Sequence, residues 1–112
     1  MQLIDRLKAV HESGYVYLDL KPDNILIGDS KNGELHKVRL IDFGICQKYL
    51  DRNKKHKQLV RVNDFRGNFA FASVYAFHFV TQSRRDDLIS LCYLLVFLVN
   101  GELPLFEYER NM

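Results

Sequence analysis

The sequence predicts a single α+β domain over residues 1–112 that is mainly helical and contains one small β-hairpin. Two segments with helical patterns lie near the two ends of the chain, and two short apolar stretches flank a polar turn between them. With 47% apolar and 27% charged residues, the composition is that of a globular domain with one modest core.

The first predicted element is a helix over residues 2–12 with one apolar face. That face consists of Leu3, Ile4, Leu7 and Val10. Gly14 suits a left-handed helix end. Pro22 excludes a regular continuation, so a loop is expected over residues 17–24.

The hairpin is predicted next. "NILIG" forms its first strand, "GDSKNGELH" the turn with Asn32-Gly33 at its tip, and "KVRLIDFG" the return strand. A long, basic and irregular segment follows over residues 45–68. The hairpin is too small to form a core, so the two helices are expected to carry the packing.

The last predicted element is a helix with the sequence "RRDDLISLCYLLVFLVNG". Acidic residues suit its first turn and Asn100-Gly101 its end. Its apolar run covers residues 88–99, whereas a helix needs about 20 apolar residues to cross a bilayer. We therefore predict a buried core helix, with Cys92 in the core, and no membrane partner.

Charge and cysteine content restrict the function classes. A net charge of +2 gives little support for nucleic acid or a membrane surface as a partner. Cys46 and Cys92 lack metal-type spacing and are expected to be free thiols in the cytoplasm or nucleus. Surface or packing roles are expected for the histidines, which share no ligand spacing: His11, His36, His56 and His78.

The stretch "YVYLDLKPDNILIG" holds the chemistry-bearing residues. Asp19, Lys21 and Asn24 lie on one loop, and the hairpin should return Asp42 close to them. Two carboxylates, a carboxamide and an ammonium suit magnesium and polyphosphate, as a phosphoryl-transfer site requires. The alternative is a plain polar turn around Pro22.

"YLDLKPDN" together with "IDFG" resembles the catalytic loop and metal-binding turn of eukaryotic protein kinases. "DLKPDN" resembles the serine/threonine kinases. "QSRRDDLISL", "NGELP" and "ASVYA" resemble the casein kinase I family. The resemblance runs from the first helix to about Pro104. It implies part of a kinase large lobe, the cofactors ATP and Mg²⁺, and transfer of the γ-phosphate to protein serine or threonine.

The resemblance also implies a role for each matching residue. Asp19 corresponds to the catalytic base, and Lys21 to the residue that steadies the transferred phosphate. Asn24 and Asp42 correspond to the magnesium ligands that help to bind the nucleotide. Asp87 corresponds to a buried aspartate that holds the backbone of the catalytic loop, and it also suits a helix N-terminus as a carboxylate that offsets the dipole.

Several positions depart from the family pattern. Tyr17 and Leu18 replace a histidine and an arginine before Asp19, and Asn68 replaces a threonine that contacts the catalytic aspartate. Ala70 replaces an arginine that helps to bind an anionic substrate group, and Cys92 replaces a glycine. None of these changes removes the base or a metal ligand.

No G-x-G-x-x-G loop and no V-A-I-K-like lysine occur in the sequence. The small ATP-covering lobe is therefore expected to be absent, as are the last helices of the large lobe. The chain is expected to be either a gene fragment or a truncated remnant. Besides a kinase, a non-catalytic remnant or binding module remains as an alternative.

The long irregular segment raises two further expectations. Its basic residues could bind an acidic or phosphorylated protein substrate, although a solvated loop is the alternative: Arg52, Lys54, Lys55, Lys57 and Arg61. Tyr49 carries the only hydroxyl in residues 45–72, and Leu18 cannot pair with a phosphate. The sequence thus predicts a kinase without activation-loop phosphorylation.

Overall fold

The computed structural model describes residues 2–28, 33 and 37–101. In this part of the chain it contains three helices, one 3₁₀ turn and two two-stranded sheets, in keeping with a small α+β fold. In chain order the elements are α1 (Gln2–Glu12), β1 (Tyr15–Val16), the 3₁₀ turn (Pro22–Asn24), β2 (Ile25–Ile27), β3 (Val38–Leu40), β4 (Gln47–Lys48), α2 (Val74–Phe77) and α3 (Arg84–Asn100).

The predicted hairpin is present. β2 and β3 pair antiparallel, with Ile25 opposite Leu40 and Ile27 opposite Val38. Most of the predicted turn, including Asn32, lies outside the described residues. β1 and β4 form a second antiparallel pair that the sequence did not predict, because strands of two residues are too short to show alternation.

α1 has the predicted bounds, and Gly14 follows it with a φ of 92°. Leu3 and Leu7 are buried, but Ile4 is exposed, which corrects its predicted place on the apolar face. The buried line continues instead to His11, four residues beyond Leu7, because α1 packs against β1, β3 and α3 along that line.

One main cluster of buried side chains joins the two long helices to the loop between them, as predicted. Its members are Leu3, Leu7, Tyr17, Leu20, Phe71, Leu91 and Leu94. A second, smaller cluster contains Val16, Leu18 and Tyr49. Both clusters include residues that flank Asp19, so the packing fixes the loop that carries this carboxylate.

α3 begins after Ser83, whose backbone N–H donates to Asp86 Oδ2 at 2.7 Å, and ends at the left-handed Gly101. Only one face is buried within the described residues, so the predicted burial holds for that face alone, and the prediction that Cys92 lies in the core is wrong. Cys92 is exposed, and Val99 is 82% exposed. The cause is that no described element covers the outer face. Across residues 2–28, 33 and 37–101, no helix is long and apolar enough to span a membrane.

Candidate active site

α3 holds the backbone that leads into the loop containing Asp19. The buried carboxylate of Asp87 accepts hydrogen bonds from the backbone N–H groups of Tyr17 and Leu18, each at 2.8 Å. His11 Nε2 lies 2.7 Å from the same carboxylate. The sequence predicts only a surface or packing role for His11. Its place four residues after Leu7, on the buried line of α1, is the signal that could have identified it.

Leu18 adopts a left-handed backbone with a φ of 67°, which is uncommon for a residue with a branched side chain. Gly67 passes directly over it, with a φ of 116°. A Cβ atom at Gly67 would lie only 2.7 Å from the Leu18 carbonyl oxygen. The absence of a side chain at Gly67 therefore lets the next residue, Asn68, approach the Asp19 loop.

Asp19 is buried and lies among three donors. Asn24 Nδ2 donates to Asp19 Oδ2 and also to the Asp19 carbonyl, both at 2.9 Å. Asn68 Nδ2 lies 3.4 Å from Oδ1, and Lys21 Nζ lies 3.9 Å from the same oxygen. Asp19, Lys21 and Asn24 are thus brought together. Oδ1, which has the longer contacts, is the oxygen better able to accept a further proton or hydrogen bond.

Asp42 follows β3 at the end of the hairpin. The N–H of Ile41 donates to the Asn24 carbonyl at 3.0 Å, which ties the residue before Asp42 to the loop residue Asn24. Asp42 has a φ of 58°, and aspartate tolerates this conformation better than most residues. Its exposed carboxylate accepts a hydrogen bond from the N–H of Gly44 at 3.2 Å.

Tyr17 joins the Asp19 loop to the segment around Asp42. Its hydroxyl donates to the Ile41 carbonyl, and its ring meets that of Phe43 edge to face at 5.3 Å. Burial raises the pKa of the Tyr17 phenol well above its usual range, and the charge of Asp19 adds to this effect. The phenol therefore remains a donor. The sequence predicts only that an aromatic ring at position 17 keeps the packing.

Cys46 lies behind the loop, where its thiol contacts the Tyr17 carbonyl at 3.6 Å. Burial raises the pKa of this thiol to about 11, with further contributions from the carboxylates of Asp87, Asp19 and Asp42. The thiol is therefore protonated at neutral pH and acts here as a packing group and weak donor.

The oxygen donors present fit a magnesium ion bound together with a polyphosphate. Asn24 uses its amide nitrogen for Asp19, so its amide oxygen is the atom that it can offer to a cation. Asp42 can offer carboxylate oxygen. Magnesium is commonly held by one or two such protein groups plus phosphate oxygens. No group of three or more His, Cys, Asp or Glu side chains that could hold a metal occurs in the described ranges.

The basic segment is open to solvent. The five cationic residues considered for substrate binding are all exposed: Arg52, Lys54, Lys55, Lys57 and Arg61. A turn within it is fixed by Asp51, whose carboxylate accepts hydrogen bonds from the N–H groups of Asn53 and Lys55 at 2.8 and 2.9 Å. The geometry is that of a solvated loop with a defined turn.

Comparison with known protein families gives a match that extends over the whole chain. The family described as protein kinase domain matches residues 1–112. Members of this family are phosphotransferases that generally use ATP and Mg²⁺ and act on proteins. The match includes the Asp19 loop, the Asp42 turn and α3, the three parts that the structure connects through Tyr17 and Asp87. This chain belongs to the protein kinase family.

Proposed function

We propose that this chain carries the catalytic loop and the metal-binding turn of a serine/threonine protein kinase of the casein kinase I-like type. Its reaction is transfer of the γ-phosphate of ATP to a serine or threonine hydroxyl of a protein substrate. The observation that carries the proposal is the arrangement around Asp19, in which Oδ2 is fixed by Asn24 and Oδ1 lies 3.9 Å from Lys21 Nζ.

Each of these groups has a task in the proposed reaction. The substrate hydroxyl donates its proton to Asp19 while its oxygen bonds to the γ-phosphorus and the bond to the β-phosphate oxygen breaks. Lys21 places a positive charge beside the transferred phosphoryl group. Asn24 and Asp42 would hold Mg²⁺, which neutralises phosphate charge when it is bound. Asp19 thus takes up the proton. Lys21, and the Mg²⁺ that Asn24 and Asp42 would hold, neutralise negative charge on the phosphates.

Two sequence features support the finer assignment. "DLKPDN" includes Lys21, which favours serine/threonine specificity. "QSRRDDLISL", which leads into the first turns of α3, resembles the casein kinase I family and favours that type. The two free thiols support a location in the cytoplasm or nucleus.

A non-catalytic binding module is the second candidate. The observation that favours it is that Leu18 and Ala70 stand where the kinase pattern has arginines. We expect the isolated chain to bind nucleotide weakly and to transfer phosphate far below the usual kinase range of about 1–100 s⁻¹.

Nucleotide binding separates these candidates. A fluorescent ATP analogue should bind the chain in Mg²⁺ and be released by EDTA. Asp42→Asn should weaken the binding, Asp19→Asn should leave it nearly intact, and the exposed Asp5→Asn serves as a charge-matched control. In the longest natural reading frame that contains this chain, Asp19→Asn should slow transfer by about 10²–10⁴-fold. Nucleotide binding that depends neither on Mg²⁺ nor on Asp42 would argue for the non-catalytic module.

A further inference from the structure

A cavity of about 320 Å³ lies between α1 and α3, away from the candidate catalytic carboxylate. Its apolar wall consists of Ile4, Leu7 and Leu88. Leu7 is buried, whereas the other two side chains are about half exposed and leave apolar surface open to a guest. Small-molecule sites are typically concave, mostly apolar and about 300–1,000 Å³ in volume. The cavity therefore has the size and the lining of a site for a small molecule.

One positive charge at the rim of this cavity is not balanced. Lys8 and Glu12 both line the cavity, and their charged atoms lie 3.8 Å apart, so they largely cancel each other. The guanidinium of Arg84 lies over the ring of Tyr49, 5.0 Å from its centroid. Within the part of the chain that the structure describes, no carboxylate pairs with this guanidinium. A guest with a negative charge would supply the missing partner.

The inner wall of the cavity is connected to the loop of the candidate catalytic carboxylate. Tyr49 and His11 form this wall, and both are buried. The Tyr49 hydroxyl donates to the His11 carbonyl at 2.6 Å, and His11 Nε2 lies 2.7 Å from the Asp87 carboxylate. That carboxylate holds the N–H groups of Tyr17 and Leu18. A guest that orders the inner wall therefore acts on groups that fix the loop backbone.

We propose that this cavity is a regulatory site for a compact apolar acid, whose carboxylate pairs with Arg84 and whose apolar body packs against Leu7 and Leu88. The bound acid steadies the Asp19 loop. A rigid body suits the site, because a flexible guest would lose more conformational entropy on binding. None of the residues that line the cavity has a part in the proposed phosphate transfer, so the site goes beyond the proposed function.

Three naphthalene compounds of nearly equal shape test the ligand class. Naphthalene-2-carboxylate is the acid, its carboxamide is the neutral analogue, and 2-(aminomethyl)naphthalene is the cation. Equilibrium dialysis against the 112-residue chain should show about tenfold tighter binding of the carboxylate than of the carboxamide, as a charge-assisted pair predicts. The amine should bind most weakly. Equal binding of the three compounds, or no binding of the carboxylate, would overturn the proposal.

Variants at exposed positions locate the site. Arg84→Gln should remove the preference for the carboxylate, whereas Arg84→Lys should retain most of it. Arg52→Gln removes an exposed cation outside the cavity and should change nothing. An equal loss of binding in the Arg52 and Arg84 variants would show attraction by overall charge and would contradict the assignment.

A second control concerns the uncovered apolar face of α3. Leu98→Gln together with Val99→Gln lowers the apolar surface of this face outside the cavity, and the affinity for naphthalene-2-carboxylate should not change. A loss of binding in this double variant would place the compound on the outer face of α3, and the proposal would be wrong.

Amide hydrogen exchange tests the effect on the loop. Saturation with naphthalene-2-carboxylate should slow exchange at Tyr17 and Leu18 by about fivefold or more, as expected for coupled sites, and leave β2 unchanged. Unchanged exchange at these two amides, or equal slowing in β2, would refute a specific effect on the loop. Neither dialysis nor exchange depends on nucleotide or phosphate transfer, so this site and the proposed function can fail separately.

Discussion

At the scale of single residues, the carboxylate of Asp87 satisfies three groups that would otherwise be buried without partners. Two are backbone N–H groups of residues 17 and 18, and the third is the ring of His11. A carboxamide of the same shape turns an NH₂ group toward at least one of these donors. Because an unsatisfied buried donor is costly, the loop geometry depends on the charge state as well as the shape of this side chain.

Replacement of Asp87 by Asn is therefore predicted to loosen the Asp19 loop. We expect a loss of about 3 kcal/mol in local stability and faster amide hydrogen exchange at Tyr17 and Leu18. Mass-spectrometric exchange on the wild type and the variant measures this. Asp5→Asn, on the exposed face of α1, is the control and should leave these amides unchanged. Equal protection in Asp87→Asn would show that the contacts are dispensable.

Cys46 gives a pH-dependent prediction. Its pKa is raised from the ordinary 9.0 to about 11, so at pH 8 its thiolate fraction is roughly 100-fold lower than that of an unperturbed thiol. Iodoacetamide should therefore alkylate the exposed Cys92 first, and peptide mapping identifies the order. Because the folded state disfavours the thiolate, the contribution of this thiol to stability is complete below pH 9.0 and is lost as the pH rises through about 11. Faster labelling of Cys46 would contradict its burial.

At the scale of elements, the sequence predicts those helices and strands whose residues show a local pattern. α1, α3 and the hairpin follow from apolar spacing, and the Asp19 loop follows from its residue types. β4 and α2 have two and four residues, too few for a periodic signal. The contact of His11 joins residues 76 positions apart, so no local pattern contains it. Residues 88–99 of α3 are apolar around most of the helix, so the sequence could not reveal that the side with Cys92 would stay exposed.

Gly67 controls how closely two loops approach. Gly67→Ala introduces a Cβ atom 2.7 Å from the Leu18 carbonyl oxygen, whereas Gly33→Ala meets nothing within 4 Å. Both positions have positive φ, so each variant carries about 1–2 kcal/mol of backbone strain. Only Gly67→Ala should also raise amide exchange at residues 18–20 and weaken the contact of Asn68 with Asp19. The two variants should therefore differ in amide exchange at residues 18–20. Identical exchange profiles would show that the close approach of Gly67 to Leu18 does not stabilise this loop.

At the scale of the whole molecule, much apolar surface remains uncovered within the described residues. The outer face of α3 exposes large side chains along its length: Leu88, Tyr93, Leu95, Val96, Leu98 and Val99. A helix with apolar residues on all sides is stable in water only when other elements cover it. The chain in isolation is therefore expected to associate through this face.

Hydrophobic-dye binding tests this expectation. The isolated chain should bind an anilinonaphthalene dye and elute as more than a monomer, because the uncovered apolar face is large. Leu98→Lys together with Val99→Lys should lower dye fluorescence and the associated fraction. Leu59→Lys, at an exposed apolar position outside α3, should have a smaller effect. A clean monomer with a sharp two-state melt would refute the prediction.

The cluster around Leu18 disfavours a charged side chain at this position. An arginine at position 18 would insert a cation where the present side chain is only 7% exposed and packs against Val16 and Tyr49. An unpaired buried charge costs several kcal/mol. Tyr49 is 6% exposed and its hydroxyl donates to the His11 carbonyl at 2.6 Å, so it is a poor target for phosphorylation. The single substitution Leu18→Arg is therefore not expected to introduce phosphate control, which would also require that the cluster opens and that an accessible hydroxyl is present.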